Sequence, residues 1–371
     1  MRRLPRRGRV GAAAVLALTA LAGTPAAATA HHPPSWHVVH HGGSADLRAI
    51  SPVSRRVVWA SGSGGTVLRT TDGGRSWKNV GPKGTSALEF RGMKAFDARH
   101  AVLMSIGDHP GDFRTYLTSD GGRHWRVTNQ NTSPQAFYDC MSFFDRRHGL
   151  ILSDPVNGRF RILITANGGR SWHVNPARNM PRAHSPDEFG FAASNECITT
   201  SGRHDAWFGS GGTAGGRVFG STDGGHHWKV SQTPIASGDS SGIFAVAFRN
   251  GLQGLAIGGD FANPATAPRS LALTADGGRT WTLVADSAAP NAYRSGATFV
   301  PHTAGTALAV GLTGSDISTD GGFSWTRFDR GSFDAVVCTP HGSCWASGAN
   351  ERIGVLRREN AIDILGGRQL R

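Results

Sequence analysis

Short, mainly apolar segments in which the residue character alternates recur along almost the whole chain. Most of them are followed by a polar, glycine-rich turn. Seven align by eye: VVWASGSG (57–64), AVLMSIGD (101–108), GLILSDPV (149–156), DAWFGSGG (205–212), GLAIGGDF (254–261), ALAVGLTG (307–314) and CWASGANE (344–351). Alternation with a period of two, interrupted by frequent turn residues, is typical of short antiparallel strands. No stretch has a convincing helical period, so the pattern predicts an all-β chain.

An eight-residue turn follows six of these segments. Its copies are TTDGGRSW (70–77), TSDGGRHW (118–125), TANGGRSW (165–172), STDGGHHW (221–228), TADGGRTW (274–281) and STDGGFSW (318–325). Their third positions, Asp72, Asp120, Asn167, Asp223, Asp276 and Asp320, lie 48, 47, 56, 53 and 44 residues apart. A repeat of this length indicates a propeller or a solenoid.

The residues of this turn are suited to structural roles. Its Asp or Asn can accept bonds from backbone N–H groups, its two glycines permit positive φ, and its Trp is large enough to pin the turn to a core. The turn resembles the Asp box, S/T-x-D-x-G-x-T/S-W, of BNR-repeat β-propellers. That resemblance implies a hairpin between the third and fourth strands of each blade, in which the Asp or Asn has an architectural and not a catalytic role.

Seven strand segments but only six turns leave the last repeat without its final strand. SWHVV at residues 35–39 matches SWKNV at 76–80, which is the end of the first turn and the strand after it. A propeller must close its ring, because an open ring exposes strand edges. We therefore predict a single seven-bladed β-propeller at residues 31–360, in which strand 35–40 completes a last blade at 333–358. A carboxy-terminal tail follows at 361–371.

The first thirty residues are typical of a secretory signal. Five arginines precede an apolar run at 10–23 and small residues that end at Ala30, so we expect cleavage after Ala30. Arg6 and Arg7 leave the general and the twin-arginine export routes open. No later segment is long enough to span a membrane. The mature protein is therefore expected to be secreted or extracytoplasmic.

The charge balance narrows the possible partners. The formal net charge is +13, and removal of the five signal arginines leaves 13 − 5 = +8. Spread over a long all-β chain without a Lys/Arg run, this charge suits acidic surfaces and anionic polymers and does not indicate nucleic-acid binding.

Four cysteines in an exported chain are candidates for disulfides. Cys338 and Cys344 flank a predicted hairpin loop, and we expect them to pair. Cys140 and Cys197 occupy similar places in successive repeats, so they could pair between blades or remain two buried thiols. The C-x-x-C spacing of a zinc or thioredoxin-like site is absent, and neither a metal nor a cofactor is expected.

Three long departures from the repeat mark where function could have been added, because loops carry function more often than the scaffold does. They are residues 153–159, 175–196 and 258–269, in the consecutive blades three to five. We expect them to form one binding face, with candidate residues Asp154, Asn157, Arg159, Arg182, Asp187, Glu188, Asp260 and Arg269. Solvated turns, in which Asp, Asn and Pro are common, are the alternative.

Glycoside hydrolysis is the enzyme class to consider, because Asp-box propellers include sialidases. The reaction needs two spaced carboxyl groups or a tyrosine nucleophile. Tyr138, Asp139 and Glu196 are the candidates for the central channel, although buried acids bonded to the backbone explain the last two equally well. The Arg-Ile-Pro signature of sialidases is absent, and no catalytic residue is assigned.

Over nearly the whole mature chain, the sequence resembles the photosystem II stability and assembly factor family and its non-photosynthetic bacterial relatives. The resemblance rests on the seven units, the one box per blade, and the phrases FFDRRHGLILSDPVNGRF and GIFAVAFRNGLQGLAIGGD. It implies a scaffold that holds a protein client without known catalysis. We expect an exported protein-binding scaffold, with a glycan-cleaving or glycan-binding propeller as the alternative.

Overall fold

The computed structural model describes residues 34–212 and 215–357, in which the strands form seven four-stranded antiparallel sheets. In chain order the strands are β1 (Ser35–His40), β2 (Leu47–Pro52), β3 (Val58–Gly62), β4 (Val67–Thr70), β5 (Lys78–Asn79), β6 (Glu89–Ala95), β7 (Ala101–Ile106), β8 (Arg114–Thr118), β9 (Arg126–Gln130), β10 (Tyr138–Phe143), β11 (Gly149–Pro155), β12 (Phe160–Thr165), β13 (His173–Val174), β14 (Ile198–Ser201), β15 (Asp205–Gly209), β16 (Arg217–Ser221), β17 (Lys229–Gln232), β18 (Ser241–Phe248), β19 (Gly254–Asp260), β20 (Leu271–Thr274), β21 (Thr282–Leu283), β22 (Gly296–Phe299), β23 (Ala307–Gly311), β24 (Gly314–Ser318), β25 (Thr326–Asp329), β26 (Ala335–Cys338), β27 (Cys344–Gly348) and β28 (Arg352–Arg357). Short 3-10 helices lie at Pro110–Asp112, Ala177–Asn179 and Asn195–Cys197.

Six of the sheets each contain four strands that follow one another along the chain, from β2–β5 in blade 1 to β22–β25 in blade 6. The first strand of every blade lines the central axis. The prediction of an all-β, seven-bladed propeller is confirmed.

Blade 7 takes its strands from both ends of the described chain. It contains β26, β27 and β28, and β1 pairs antiparallel with β28, so that Trp36 lies opposite Leu356 and Val38 opposite Gly354. Trp36 is buried, and its Nε1 donates a hydrogen bond to Ser315 Oγ of blade 6 at 2.9 Å. The same strand therefore also ties blade 7 to blade 6.

Each of the six DGG or NGG turns, which we call the box turns, is a closed hydrogen-bonded unit. In the first, Thr70 Oγ1 accepts a bond from Gly74 N at 3.0 Å, and Asp72 Oδ1 accepts one from Ser76 N at 3.0 Å. Bonds from Ser76 and Thr70 hold the pKa of the Asp72 carboxyl well below its usual range. Equivalent bonds close the turns at Asp120, Asn167, Asp223, Asp276 and Asp320.

The hydrophobic core lies between neighbouring blades. Trp207 of blade 4 stacks on Phe248 of blade 5 with ring centroids 3.6 Å apart. The box turns also reach the preceding blade, since a Cβ at Gly225 would lie 2.6 Å from Leu150 Cδ2 of blade 3. Such a close approach needs glycine, so the box helps to pack one blade onto the next.

Some of the sequence predictions fall on residues outside the described part of the chain. These are the signal at 1–30 with its cleavage after Ala30, and the tail at 361–371. Within residues 34–212 and 215–357, no helix is long and apolar enough to cross a membrane. The same residues contain no group of three His, Cys, Asp or Glu side chains that could hold a metal ion.

Replacing Trp36 by alanine is expected to lower the free energy of unfolding by about 3–5 kcal/mol, because the change removes a buried aromatic side chain and its hydrogen bond. The measurement is denaturant unfolding of the full chain, followed by circular dichroism. His37→Ala is the matched control, since the neighbouring His37 is exposed, and it should cost less than about 0.5 kcal/mol. Equal stability of the two variants would show that β1 does not hold the ring closed.

Candidate functional site

A bulge near the start of the innermost strand recurs in four blades. There the pairing of the first strand with the second skips one residue: Arg48 in blade 1, Arg91 in blade 2, Asp139 in blade 3 and Phe244 in blade 5. A β-bulge leaves the extra residue out of the ladder and changes the direction of its side chain. Three of these four residues, Arg48, Arg91 and Phe244, line a cavity at one end of the central channel.

We call the cavity at this end of the channel the axial pocket; its volume is about 360 Å³. Its polar side is formed by Arg48, Arg91 and Asp334, and its apolar side by Phe191, Phe244, Phe261, Tyr293 and Leu312.

The polar side is an ion-pair network. Arg48 donates from Nη1 to Asp334 Oδ1 at 3.2 Å, and its Nε lies 3.3 Å from Glu89 Oε1. Arg91 donates from Nε to the same Glu89 oxygen at 3.2 Å. Burial raises the pKa of Asp334 to about 6, although Arg48 opposes the shift. The two half-buried arginines are thus held in fixed positions by two acids.

The apolar side is a cluster of aromatic rings. Phe191 stacks on Phe244 with centroids 4.3 Å apart, and Phe244 meets Tyr293 edge-on at 4.8 Å. Phe261 contacts this cluster yet remains 49 % exposed, and Leu312 remains 41 % exposed. Two large apolar side chains therefore face solvent beside the paired arginines. Aromatic residues and arginine are both enriched at protein interfaces.

A long inter-blade connection forms the floor of the axial pocket. After β13 the chain crosses to the axis before it starts blade 4, and we call residues 189–197 the axial segment. Phe191, Ala192 and Ala193 line the pocket from this segment, and Arg91 Nη1 donates to Ala192 O at 2.9 Å.

The axial segment bridges distant blades. Ser194 Oγ donates to Ser295 O, at the start of blade 6, at 2.7 Å. Asn195 Nδ2 donates to Met141 O of blade 3 at 2.9 Å and lies 3.4 Å from Met93 O of blade 2. Because its partners lie on several sides of the ring, the segment closes the channel beneath the axial pocket.

Glu188, just before the axial segment, attaches this inter-blade connection to blade 4. It is fully buried and accepts bonds from Arg217 Nε at 2.8 Å and from Ser210 Oγ at 2.6 Å. These partners offset the cost of burying its charge.

All four cysteines form disulfides. Cys338 pairs with Cys344 across a loop, as the sequence predicted. Cys140 of β10 pairs with Cys197 at the end of the axial segment, so the alternative of two buried thiols is wrong. The second bridge tethers the axial segment to blade 3.

Two carboxyl groups, of the buried Asp139 and the half-buried Asp154, flank Gly190 of the axial segment. Asp154 Oδ1 accepts a bond from Gly190 N at 2.8 Å, and a Cβ at Gly190 would lie 3.0 Å from Asp139 Cγ. Asp139 is fully buried, and neither of its oxygens has a hydrogen-bond partner among the described residues. Burial, and then the neighbouring Asp154, raises the pKa of Asp139 well above its ordinary value; burial raises the pKa of Asp154 to about 7.

Glu196 lines a cavity in the channel together with residues of the innermost strands, whereas Tyr138 does not line that cavity. Burial raises the pKa of Glu196 to about 8. The Tyr138 hydroxyl accepts a bond from Asn129 Nδ2 at 2.8 Å, and its ring packs near Phe113 between blades 2 and 3. Tyr138 immediately precedes the bulge, and its side chain belongs to the hydrophobic core between blades 2 and 3. Its assignment to the channel was wrong.

The three loops of the predicted binding face meet in space. Asp154 of the first loop bonds Gly190 of the second, and Phe261 of the third contacts Phe191 of the second at a centroid distance of 6.3 Å. The apolar residues at this junction belong to the axial pocket, which the sequence analysis did not identify.

Several polar residues of the predicted face bond to other parts of the protein and stabilise the loops, so they are not free to bind a partner. Glu188 is buried, so its place on a binding surface was wrong. Arg159 donates to Met180 O, and Arg269 Nη2 donates to Pro234 O at 2.8 Å. The other candidates, Asn157, Arg182, Asp187 and Asp260, lie in exposed or half-buried positions.

One signal in the sequence could have located the axial pocket. The segments LRAI (47–50), FRGM (90–93), YDCM (138–141), IFAV (243–246) and FDAV (333–336) align on one another, each with a charged or aromatic residue in second place. Those second places hold Arg48, Arg91, Asp139, Phe244 and Asp334. Alignment of the innermost strands, and not only of the second strands, would have grouped them.

The fold and this site define a single seven-bladed propeller with a closed axis and a pocket at one mouth. No protein-family model and no curated protein matches the chain. Among solved structures, YCF48 bound to D1 peptide is similar with a TM-score of 0.59 and 14% identity, over 88% of this chain and 95% of that chain. YCF48 from Cyanidioschyzon merolae has a TM-score of 0.59 and 16% identity, over 88% and 99%.

Propellers of other classes are similar to the same degree. The GH74 xyloglucanase from Xanthomonas campestris has a TM-score of 0.59 and 13% identity over 88% of this chain, which spans 54% of that enzyme. The WD40 propeller of Doa1 has a TM-score of 0.57 and 11% identity, over 88% and 98%. These likenesses show the fold alone, because one fold serves many functions.

Removing the Cys140–Cys197 bridge with Cys140→Ser/Cys197→Ser is expected to lower the free energy of unfolding by about 4 kcal/mol. The bridged residues are 57 apart, and the loop-closure entropy that a bridge removes from the unfolded chain grows with this separation. Cys338→Ser/Cys344→Ser, with a separation of 6, should lose about 2 kcal/mol. Non-reducing denaturant unfolding of both variants checks the order, and a reversed order would contradict the tethering role.

The acids around the axial segment should make stability fall as the pH rises. A carboxyl whose pKa is raised on folding binds its proton more tightly in the folded state. The stability that such a carboxyl contributes is therefore fully present below its unfolded pKa of about 4. It is lost as the pH rises through the folded pKa, which is about 7 for Asp154 and about 8 for Glu196. Glu196→Gln, which cannot ionise, should gain stability over wild type at high pH relative to low pH.

Denaturant unfolding of wild type and Glu196→Gln across this pH range checks the sign. Asp187→Asn is the matched control, because Asp187 is an exposed acid on the same connection. A stability difference between wild type and Glu196→Gln that does not change with pH would refute the effect.

Proposed function

We propose that this chain is an exported binding propeller that holds a protein partner at the axial pocket and acts as an assembly scaffold without catalysis of its own. The observation that carries the proposal is the exposure of Phe261 and Leu312 beside the fixed arginines Arg48 and Arg91. Binding energy at protein interfaces concentrates in such aromatic and arginine contacts.

The charge of the chain indicates the kind of partner. The predicted mature chain has a net charge of +8, and Arg182 is exposed on the connection that leads to the axial segment. A basic surface attracts acidic partners and speeds their association. The predicted signal at residues 1–30 supports a partner outside the cytoplasmic membrane.

The structural comparison supports a protein ligand. YCF48, which shares this propeller fold, was solved bound to D1 peptide. A propeller of this size can therefore bind a peptide, and we extend that role, but not the identity of the peptide, to this chain.

Hydrolysis of a glycan is less consistent with the site. The reaction needs two carboxyl groups roughly 5–10 Å apart across an accessible pocket. Asp139 and Asp154 lie against Gly190 of the axial segment, and Asp334, the acid in the axial pocket, is paired with Arg48.

Photo-crosslinking from the axial pocket tests the proposal. The full chain with Leu312 replaced by p-benzoylphenylalanine is irradiated in the extracytoplasmic fraction, and the crosslinked partner is identified by mass spectrometry. The partner is then purified, and its affinity is measured by calorimetry. Phe261→Ser/Leu312→Ser should weaken binding at least about tenfold.

Val127→Ser/Val174→Ser is the matched control, because these valines are 47% and 50% exposed on outer strands. It should bind as wild type does. Equal binding by both double variants would overturn the axial pocket as the partner site. Wild-type binding on a glycan array that is lost in Phe261→Ser/Leu312→Ser would replace the protein partner by a glycan.

A further inference from the structure

A second cavity lies in the channel on the other side of the axial segment, and we call it the lower chamber. Its volume is about 200 Å³, and it shares no lining residue with the axial pocket. It is lined by later residues of the innermost strands of all seven blades. Met141, Val246 and Phe299 form the apolar part of its wall, and Lys94 and Glu196 belong to its polar part, Glu196 from the axial segment.

One repeat position supplies a second ring of residues to this chamber. Three residues beyond the position of the bulge, the blades contribute Ser51, Lys94, Ser142, Thr199, Ala247, Thr298 and Val337. Lys94 is the charged member of this ring. The repeat does not require a lysine there, since the other six blades use small or apolar residues.

Lys94 differs from Ser51 and Ser142 in having no side-chain partner in the described part of the chain. Ser51 Oγ accepts a bond from Ala95 N at 2.9 Å, and Ser142 Oγ bonds Thr200 Oγ1 at 3.0 Å. The Lys94 ammonium makes neither a salt bridge nor a hydrogen bond with described residues, and burial lowers its pKa. An ammonium that is partly removed from water without a partner is costly.

Glu196 brings a second unsatisfied group to the same chamber. Its Oε2 atom is buried and has no hydrogen-bond partner among the described residues, and Lys94 does not approach it closely enough to form an ion pair. Because burial raises the pKa of Glu196 to about 8, the side chain is a carboxylic acid at neutral pH. It then carries an O–H donor, whereas an ionised carboxylate could only accept.

We propose that the lower chamber is a binding site for a small aliphatic carboxylate, which accepts hydrogen bonds from Lys94 and Glu196. A carboxylate has acceptors alone, so it satisfies both donors and neutralises the ammonium. Its short tail lies against Met141, Val246 and Phe299. Pockets for drug-sized molecules measure roughly 300–1,000 Å³, so the smaller chamber limits the ligand to a few heavy atoms. This site is independent of the protein partner at the axial pocket.

Ligand-observed NMR and calorimetry on the full chain at neutral pH test the proposal with butyrate, and with n-butylamine and n-butanol as matched probes. Butyrate should bind, and the amine and the alcohol should bind at least about tenfold more weakly. Similar binding of all three probes, or no binding of butyrate, would overturn the site. This arm needs no variant.

The second part of the experiment measures butyrate binding by variants of the two donors, Lys94 and Glu196. Lys94→Met keeps the length of the side chain and removes its charge, so it should weaken butyrate binding about tenfold or more. Glu196→Gln keeps an N–H donor and should change binding far less. Lys78→Met, on the exposed strand β5, should leave butyrate binding unchanged. Unchanged binding in Lys94→Met would refute the role of the ammonium.

Thermal unfolding without ligand gives an independent readout of the same charge. Lys94→Met should melt at a higher temperature than wild type, because it removes a half-buried cation that lacks a partner among the described residues. Lys78→Met, on the exposed strand β5, is the control and should melt as wild type does. Adding butyrate should narrow the gap between Lys94→Met and wild type; a constant gap would contradict binding at Lys94.

Discussion

The antiparallel pairing of β1 with β28 is the interaction on which the rest of the structure depends. It joins segments about three hundred residues apart, so it carries the loop-closure cost of almost the whole chain. Burial of Trp36 against Phe328 and Phe333, and its bond to Ser315 of blade 6, oppose that cost. A closed ring brings the innermost strands of all blades to one axis, and both cavities exist because those strands meet there.

A ring of seven sheets leaves a channel, and the axial segment closes it at one level. Asn195 and Ser194 bond backbone groups of blades 2, 3 and 6, while the Cys140–Cys197 bridge and the buried Glu188 fix the two ends of the connection. The segment therefore has two roles. It ties blades together at the axis, and it separates an arginine-rich, aromatic mouth from a chamber lined by both apolar and polar side chains.

The repeat divides structural from functional positions in a simple way. The box turns use their polar groups in local hydrogen bonds and pack blade against blade. Their Asp and Asn side chains are therefore occupied by bonds within the turns. The bulge position and the position three residues later face the axis, where each blade contributes one residue. Blades can therefore differ there without loss of the fold, and they do: the bulge position holds arginine in blades 1 and 2, aspartate in blade 3 and phenylalanine in blade 5.

The sequence by itself determined the fold class, the blade count and the completion of the last blade by residues 35–40, because a periodic pattern reports local strands and turns. It also determined the Cys338–Cys344 pair, whose partners are close along the chain. Only the tertiary structure decided that Cys140 pairs with Cys197, that Glu188 is buried on Arg217, and that Tyr138 faces the inter-blade core. It alone gathered Arg48, Arg91, Phe261 and Asp334 into one pocket. Their distances depend on ring closure and on the path of the axial segment, which are set by contacts between residues far apart in sequence.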